Sequence, residues 1–212
     1  MADIATRLTE FAPAKVNLAL HVVGRRSDGY HTLDSLVAFA DVGDQLHFAP
    51  LRGPAELRLS VTGPFAAVVD SGPSNKVWQS WRTLSDRYPA TASGIAIELV
   101  KNLPVASGLG GGTADAAATL RGLARCWRLS PDRRDLMAIA SSLGADVPVS
   151  ILSTAQRMNG IGETVVPLPG WRPVPAVLVN PGVACLTSEV FQAADLPLGK
   201  PAFAELPAGI ER

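Results

Sequence analysis

The chain has 212 residues, 47% hydrophobic and 18% charged, which supplies apolar material for a substantial core in one large or two small domains. Lys+Arg 19 against Asp+Glu 19 leaves a formal net charge of zero, so no global basic field recruits nucleic acid or anionic membrane, and any anion site must be local. No apolar run approaches a membrane span and MADIATRLTE lacks the basic-then-apolar pattern of a leader, so the expectation is a cytoplasmic protein with no nucleic-acid and no membrane partner.

Residues 14–24 alternate: Lys15, Asn17 and Ala19 on one face, Val16, Leu18, Leu20 and Val22 on the other, which is strand periodicity. Two polar residues on one face suit a cleft wall, although a strand lysine generally runs its stem along the sheet and leaves its ammonium in water. Further strands are expected over 32–48 and 55–62, separated by Asp41–Asp44 and Leu51–Pro54. Trp78, Trp81 and Leu84 share one helical face within Lys76–Arg87, before Pro89 ends the helix. A strand over Gly94–Val100, helices over Gly112–Trp127 and Pro131–Leu143, and a β-rich portion with a short helix near Ser188–Ala194 complete an α+β pattern. Cys126 and Cys185 are far apart and without metal-type spacing, so both read as ordinary thiols.

The most informative stretch is KNLPVASGLGGGTADAAATL, from Lys101 to Leu120. A strand-like run stops at Pro104, and Gly108, Gly110, Gly111 and Gly112 open directly into an alanine-rich helix. Such glycines let the backbone pass close to a bulky ligand, and a helix start adds unpaired N–H groups and a positive dipole end, a ready cradle for phosphate. Two common phosphate loops do not fit. A dinucleotide fingerprint counted from Gly108 needs glycine where Thr113 stands, and the Gly199-Lys200 pair runs into Pro201 rather than Ser or Thr. The plainer alternative is a glycine-rich turn that packs a helix on a sheet. Asp115 suits either a site or the helix dipole. Asp146, in LGADVP between a helix end and Pro148, is a placed carboxylate; it suits either proton transfer or a turn bonding its own backbone.

Four segments in order carry a resemblance: APAKVNLALHVVGRRSDGYHTLDSLVAFADVGD from Ala12, LPVASGLGGGTADAAATL from Leu103, LGADVPV from Leu143 and NGIGE from Asn159. Together they resemble the GHMP kinase superfamily, over roughly Ala12 to Phe191. The lysine strand joined to GRRxDGYH resembles its cytidyl-substrate branch, which serves the non-mevalonate isoprenoid route. The resemblance implies a two-domain GHMP kinase fold: a ribosomal-protein-S5-like N-terminal domain over 1–150 and a ferredoxin-like C-terminal domain over 151–212, meeting near 145–160. Family members run longer and end on another glycine-rich loop, so the second domain is expected to be incomplete here.

The activity so implied is ATP-dependent phosphorylation of a hydroxyl on a small cytidyl substrate, with Mg²⁺. Asp146 takes the catalytic base position and Lys15 stands beside it. The nucleotide would lie on the loop formed by Pro104, Val105, Ala106, Ser107, Gly108, Leu109, Gly110, Gly111, Gly112, Thr113 and Ala114, with Asn75 near the adenine and Lys101 alongside. Thr113 would offer its hydroxyl to the metal. Asn17 would meet the diphosphate-polyol part; Tyr30 would stack on the cytosine, His31 would read its edge, and Phe191 would close the other face. On the residues alone, Tyr30 and His31 also suit a hairpin cap. Ser74-Asn75-Lys76-Val77 and Thr113-Ala114 depart from the usual Asp-Asn-Leu-Val and paired-hydroxyl patterns. Another small-molecule kinase of the superfamily, or a descendant that binds nucleotide without turnover, are the alternatives.

Overall fold

The computed structural model describes residues 8–207 and 209–210. The start of the segment read above for a leader, residues 1–7, lies outside them. In chain order the elements are β1 (Leu8–Arg25), β2 (His31–Pro50), β3 (Leu57–Thr62), α1 (Lys76–Arg87), β4 (Ile95–Val100), α2 (Gly111–Cys126), α3 (Arg133–Leu143), α4 (Val147–Leu152), β5 (Gln156–Gly160), β6 (Thr164–Pro167), α5 (Thr187–Ala193) and β7 (Lys200–Pro201).

The seven strands make one mixed sheet in the order β3-β4-β2-β1-β7, with β5 attached to β2 and β6 to β5. This is the α+β layering the sequence predicts. β1 and β2 form a long hairpin, and β2 is then shared: Gln45–Pro50 pair with β4 while Leu33–Val37 pair with β5. The same sheet therefore takes in strands from both sides of residue 150, since β5 and β6 follow it in the chain. β3 and β4 are parallel, as their connection through α1 requires.

The strand break expected at Asp41–Asp44 does not occur, and β2 runs through it. The polar side chain that suggested a turn is satisfied from elsewhere. Asp44, fully buried, accepts N–H bonds from Asn102 and Leu103 at 2.6 and 2.8 Å and pairs with Lys101, so the strand loses nothing by carrying it inward. After Asp146, where the sequence reading assigns no element, residues 147–152 form α4 with Pro148 in its first turn, where a missing N–H costs nothing.

α2 lies on β1 and β2 between α1 and α4. Its small residues explain the closeness: Ala114, Ala116, Ala117 and Ala118 are all buried in the main core with Leu120 and Leu123, against Leu46, Phe48, Ile97 and Leu99 of the sheet. At Gly122 an added Cβ would fall on the Phe48 ring. Gly122→Ala should therefore destabilise by about 1–3 kcal/mol through overpacking, partly offset by about 1 kcal/mol of helix propensity. A melting temperature at or above wild type would show that the ring has room to turn away.

The lower sheet is held by a second buried carboxylate. Asp34 accepts from Arg157 Nε and Nη2 at 2.9 and 2.6 Å, from Asn159 Nδ2 at 2.9 Å and from the Leu206 N–H at 2.8 Å. Arg157 above all holds the Asp34 carboxyl below the usual carboxylate range; burial opposes it, and Leu206 and Asn159 add to the lowering. A depressed folded value means stability fully present above about pH 4 and lost as the pH falls through that lower value. Melting curves between pH 7 and 2.5 should show a fall below pH 4 that is shallower in Asp34→Asn; parallel curves would remove Asp34 from the acid response.

Candidate active site

The glycine loop forms because three residues take left-handed backbone: Ala106 (φ 53), Gly108 (φ 75) and Gly110 (φ 64), the last capping α2. The first helical bond runs from Ala114 N–H to Gly110 C=O at 2.9 Å, leaving the N–H groups of Gly111, Gly112 and Thr113 ahead of it, the orphan donors of a helix start. The loop is fastened to β1 by the Lys15 N–H bonding Leu109 C=O at 2.9 Å. Gly110 is needed for that approach as well as for its backbone. A Cβ there would stand 3.3 Å from Lys15 Cβ and 3.1 Å from Thr113 Oγ1.

β1 supplies the lysine through irregular pairing. Its register with β2 shifts between Pro13 and Lys15 and again between Asn17 and Ala19, the kind of bulge that re-aims a side chain beside a site. The result turns the polar face inward: Lys15 is buried, whereas Leu18 and Leu20 of the aliphatic face are exposed. Lys15 Nζ lies 3.1 Å from Asp146 Oδ2 and donates to Asn17 Oδ1 at 3.2 Å. Asn17 Nδ2 donates to Ser35 Oγ at 2.6 Å, and Ser35 to Ala19 C=O at 2.8 Å, so the lysine's partner is itself fixed.

Asp146 occupies the cap position of α4, yet its side chain makes no capping bond. It faces Lys15 instead of its own backbone. The pair is asymmetric: the Lys15 side chain is 6% exposed and that of Asp146 37%, so the carboxylate is the member open to an incoming ligand.

These residues border a cleft of about 650 Å³. Pro104 through Thr113 all line it, with Lys15, Asn75, Lys76, Lys101, Asp115, Asp146 and, from the chain's later part, Leu186 and Thr187. Ala114 is buried in the core behind the first turn rather than on the wall. Cys185 N–H bonds Ala106 C=O at 2.9 Å, which holds the later segment against the loop.

At the floor, Lys101 Nζ sits 2.5 Å from Asp44 Oδ2 and 2.7 Å from Asp115 Oδ2, all three buried. Burial pulls the Lys101 ammonium down, but Asp115 and Asp44 outweigh it and raise it overall. Burial pushes Asp115 up to about 7, Lys101 resisting and Asp44 adding to the rise. Sequence reasoning missed Asp44 and left Asp115 open. Their partner is 57 and 14 residues away, and no local spacing announces such a pair.

Asn75, predicted to lie near the adenine, is heavily committed, and so is its neighbour Lys76. Asn75 caps α1, accepting from Val77 N–H at 2.8 Å and donating to Asp70 C=O at 2.6 Å; Lys76 Nζ bonds Leu143 C=O at 2.7 Å. At the other end His31 stacks on Phe191, ring centroids 4.8 Å apart and 21° between planes, too close to admit a base between them. Tyr30 is 59% exposed at the hairpin turn. Asn17, Tyr30, His31 and Phe191 are not on the wall of the 650 Å³ cleft, so the structure gathers the predicted loop, lysine and carboxylate but not the predicted pyrimidine contacts. A hollow of about 400 Å³ at Arg87, Tyr88, Asp132, Arg134 and Asp135 contains none of the predicted site residues.

A Mg²⁺ ion keeps several waters and takes one or two protein oxygens beside phosphate oxygens. The donor set fits that pattern. Thr113 presents a hydroxyl, donated to Gly110 C=O at 2.6 Å with lone pairs left over, and Asp115 Oδ1 is buried without a hydrogen-bond partner among the described residues. Among the described residues no group of three or more His, Cys, Asp or Glu could hold a metal unaided.

Residues 75–154, which contain the loop, α2 and Asp146, match the family model for the GHMP kinase N-terminal domain. A 4-diphosphocytidyl-2-C-methyl-D-erythritol kinase of Paramagnetospirillum magneticum is 52% identical over 182 residues, covering 86% of this chain and 62% of that protein. The corresponding kinase of Ruegeria pomeroyi is 46% identical over 197 residues, covering 93% of this chain and 67% of its own length. A crystal structure of a 4-(cytidine 5'-diphospho)-2C-methyl-D-erythritol kinase superposes with a TM-score of 0.74 at 36% identity, covering 94% of this chain and 68% of that one. The chain belongs to the 4-diphosphocytidyl-2-C-methyl-D-erythritol kinase family. It spans 62% of the length of the first of those relatives, less than two thirds. The loop and Asp146 lie within the matched residues 75–154, and Lys15 lies before them on β1. No helix among the described residues is long and apolar enough to cross a membrane.

Proposed function

We propose that the protein transfers the γ-phosphoryl group of ATP to the 2-hydroxyl of 4-(cytidine 5'-diphospho)-2-C-methyl-D-erythritol, a step in isoprenoid precursor synthesis. The observation that carries this is the Lys15–Asp146 ion pair at the mouth of the glycine loop, a cation and an open carboxylate beside the first N–H groups of α2.

Phosphoryl transfer asks for positioning and charge neutralisation more than for covalent help from the protein. The N–H groups of Gly111, Gly112 and Thr113 would hold the triphosphate at the positive end of α2. Asp146 accepts the proton of the attacking hydroxyl; its oxygen bonds the γ-phosphorus as the bond to the β–γ bridging oxygen breaks, and ADP leaves. Lys15, fixed by Asn17 and Ser35, holds the Asp146 carboxylate in place at 3.1 Å and steadies the acceptor oxygen. Bound Mg²⁺ would neutralise the phosphates, with the Thr113 hydroxyl and Asp115 Oδ1 as its protein-side neighbours. Lys101 serves the same end by locking α2 to β2 and β4 through its two carboxylates.

For the cytidyl end, His31 is the best-supported contact. Burial, followed by the Arg25 charge, holds its imidazole below the ordinary value and so favours the neutral ring, which offers one donor and one acceptor to a pyrimidine edge. Its Nε2 is buried with no partner among the described residues, and Phe191 covers the ring; cytosine entry would require Phe191 to swing away and restack, with Tyr30 on the opposite face. Asn17, between Lys15 and Ser35, would meet the polyol diphosphate. The reading places the protein in the cytoplasm, where its nucleotide substrate is. Coupled ADP release with ATP and Mg²⁺ should be fast with the cytidyl alcohol and at background with mevalonate or homoserine. Equal rates with all three would move the protein elsewhere in the superfamily, and nucleotide binding with no ADP release on any acceptor would make it a binding protein.

A further inference from the structure

The segment NGIGE forms the turn between β5 and β6, and the proton-transfer chemistry assigns it no part. Its backbone nevertheless lies against Asp146. A Cβ added at Gly162, whose φ is +113, would stand 3.2 Å from Ala145 O and 3.3 Å from Asp146 Oδ1, the carboxylate oxygen that does not face Lys15. Gly160, in the same turn with φ +71, faces elsewhere: a Cβ there would meet the Glu163 carboxylate.

The turn is anchored at its base. Asn159 pairs with Asp34 across β5 and β2, and its Nδ2 donates to Asp34 Oδ1 at 2.9 Å, while Arg157 and Leu206 hold the same buried carboxylate. Within the turn Gly162 N–H bonds Asn159 C=O at 3.3 Å and Ile161 N–H bonds Glu163 Oε2 at 2.6 Å. A fixed wall thus stands behind one oxygen of Asp146 while Lys15 holds the other.

We propose that Gly162 is a positioning residue: the β5–β6 turn, anchored through Asn159 to Asp34, sets the Asp146 carboxylate against Lys15, and only glycine leaves it room. This rests on Asp146 being the proton acceptor. A displacement near 1 Å at such a group costs up to about 10²-fold in rate.

The test compares Gly162→Ala, Gly160→Ala and Asn159→Ala in the full chain, by crystal structure and by steady-state kinetics with ATP and the cytidyl alcohol. Both glycine substitutions strain a positive-φ position, so backbone strain alone would affect them alike. The expected result is that Gly162→Ala moves Asp146 Oδ2 beyond 4 Å from Lys15 Nζ and lowers kcat by about 10-fold to 10²-fold with KM for ATP within about threefold, whereas Gly160→Ala changes neither. Asn159→Ala, which keeps Gly162, should show a smaller shift in the same direction and serves if Gly162→Ala does not fold. In an Asp146→Asn background Gly162→Ala should cost nothing further. An unmoved pair in Gly162→Ala, or in Asn159→Ala if that variant must stand alone, would overturn the proposal. So would equal kcat losses in both glycine variants, or an additive loss on Asp146→Asn. If the wild type transfers no phosphate, the assignment of Asp146 fails, and the measured separations still decide whether the turn positions its carboxylate.

Discussion

Asp146→Asn is expected to lower kcat by about 10² to 10⁴-fold, the usual range for a positioned acid–base group, with ATP affinity nearly unchanged. The substitution keeps the shape and removes the proposed proton acceptor. Asp146 makes no capping bond to α4, so the helix start loses little, and the carboxylate is the exposed member of its pair with Lys15. The melting temperature should stay close to wild type. Lys15→Met should give a similar loss of turnover with the fold kept, because the ammonium is held at 3.1 Å from the same carboxylate. Turnover at the wild-type level in well-folded Asp146→Asn would exclude a proton-accepting role.

Lys101→Met should have the largest effect on stability, about 3–5 kcal/mol, because it leaves Asp44 and Asp115 buried against each other with no cation. The corresponding fall in melting temperature is about 10 °C for a chain of this size. Lys101 Nζ also lies 3.0 Å from where a Gly111 Cβ would be, so the same change should loosen the first turn of α2 and raise KM for ATP. Adding Asp115→Asn to Lys101→Met removes one of the stranded charges and should restore part of the loss. A single-variant melting temperature within about 2 °C of wild type would mean that water reaches the two carboxylates and that the triad is not a structural lock.

Much of this site was legible because its parts are local. Gly108 to Thr113 announce a loop entering a helix, and α2 begins at Gly111, one residue before the expected start. The alternation at Lys15 and Asn17 placed both on one face, though not the bulges that turn that face inward. The short helix near Ser188–Ala194 appears as α5 over Thr187–Ala193. What the residues did not reveal depends on distant contacts. Asp44 looked like a turn former because the Asn102 and Leu103 N–H groups that satisfy it come from the segment just after β4, far away in sequence. Nor does any spacing bring Gly162 to Asp146; only the pairing of β5 with β2 does so. The β-rich portion expected after residue 143 is realised in β5 and β6, while residues 168–199 contribute no strand among the described residues, and Val177 and Val179 there are 87% and 86% exposed.

The most direct test of phosphoryl transfer at this cleft is a single-turnover reaction with ATP labelled in its γ-phosphate, excess protein, Mg²⁺ and the cytidyl alcohol, run on wild type and Asp146→Asn. The label should pass to the acceptor's 2-hydroxyl in the wild type and do so at least about 10²-fold more slowly in the variant. Label released as inorganic phosphate, or transferred at the same rate in both proteins, would contradict it.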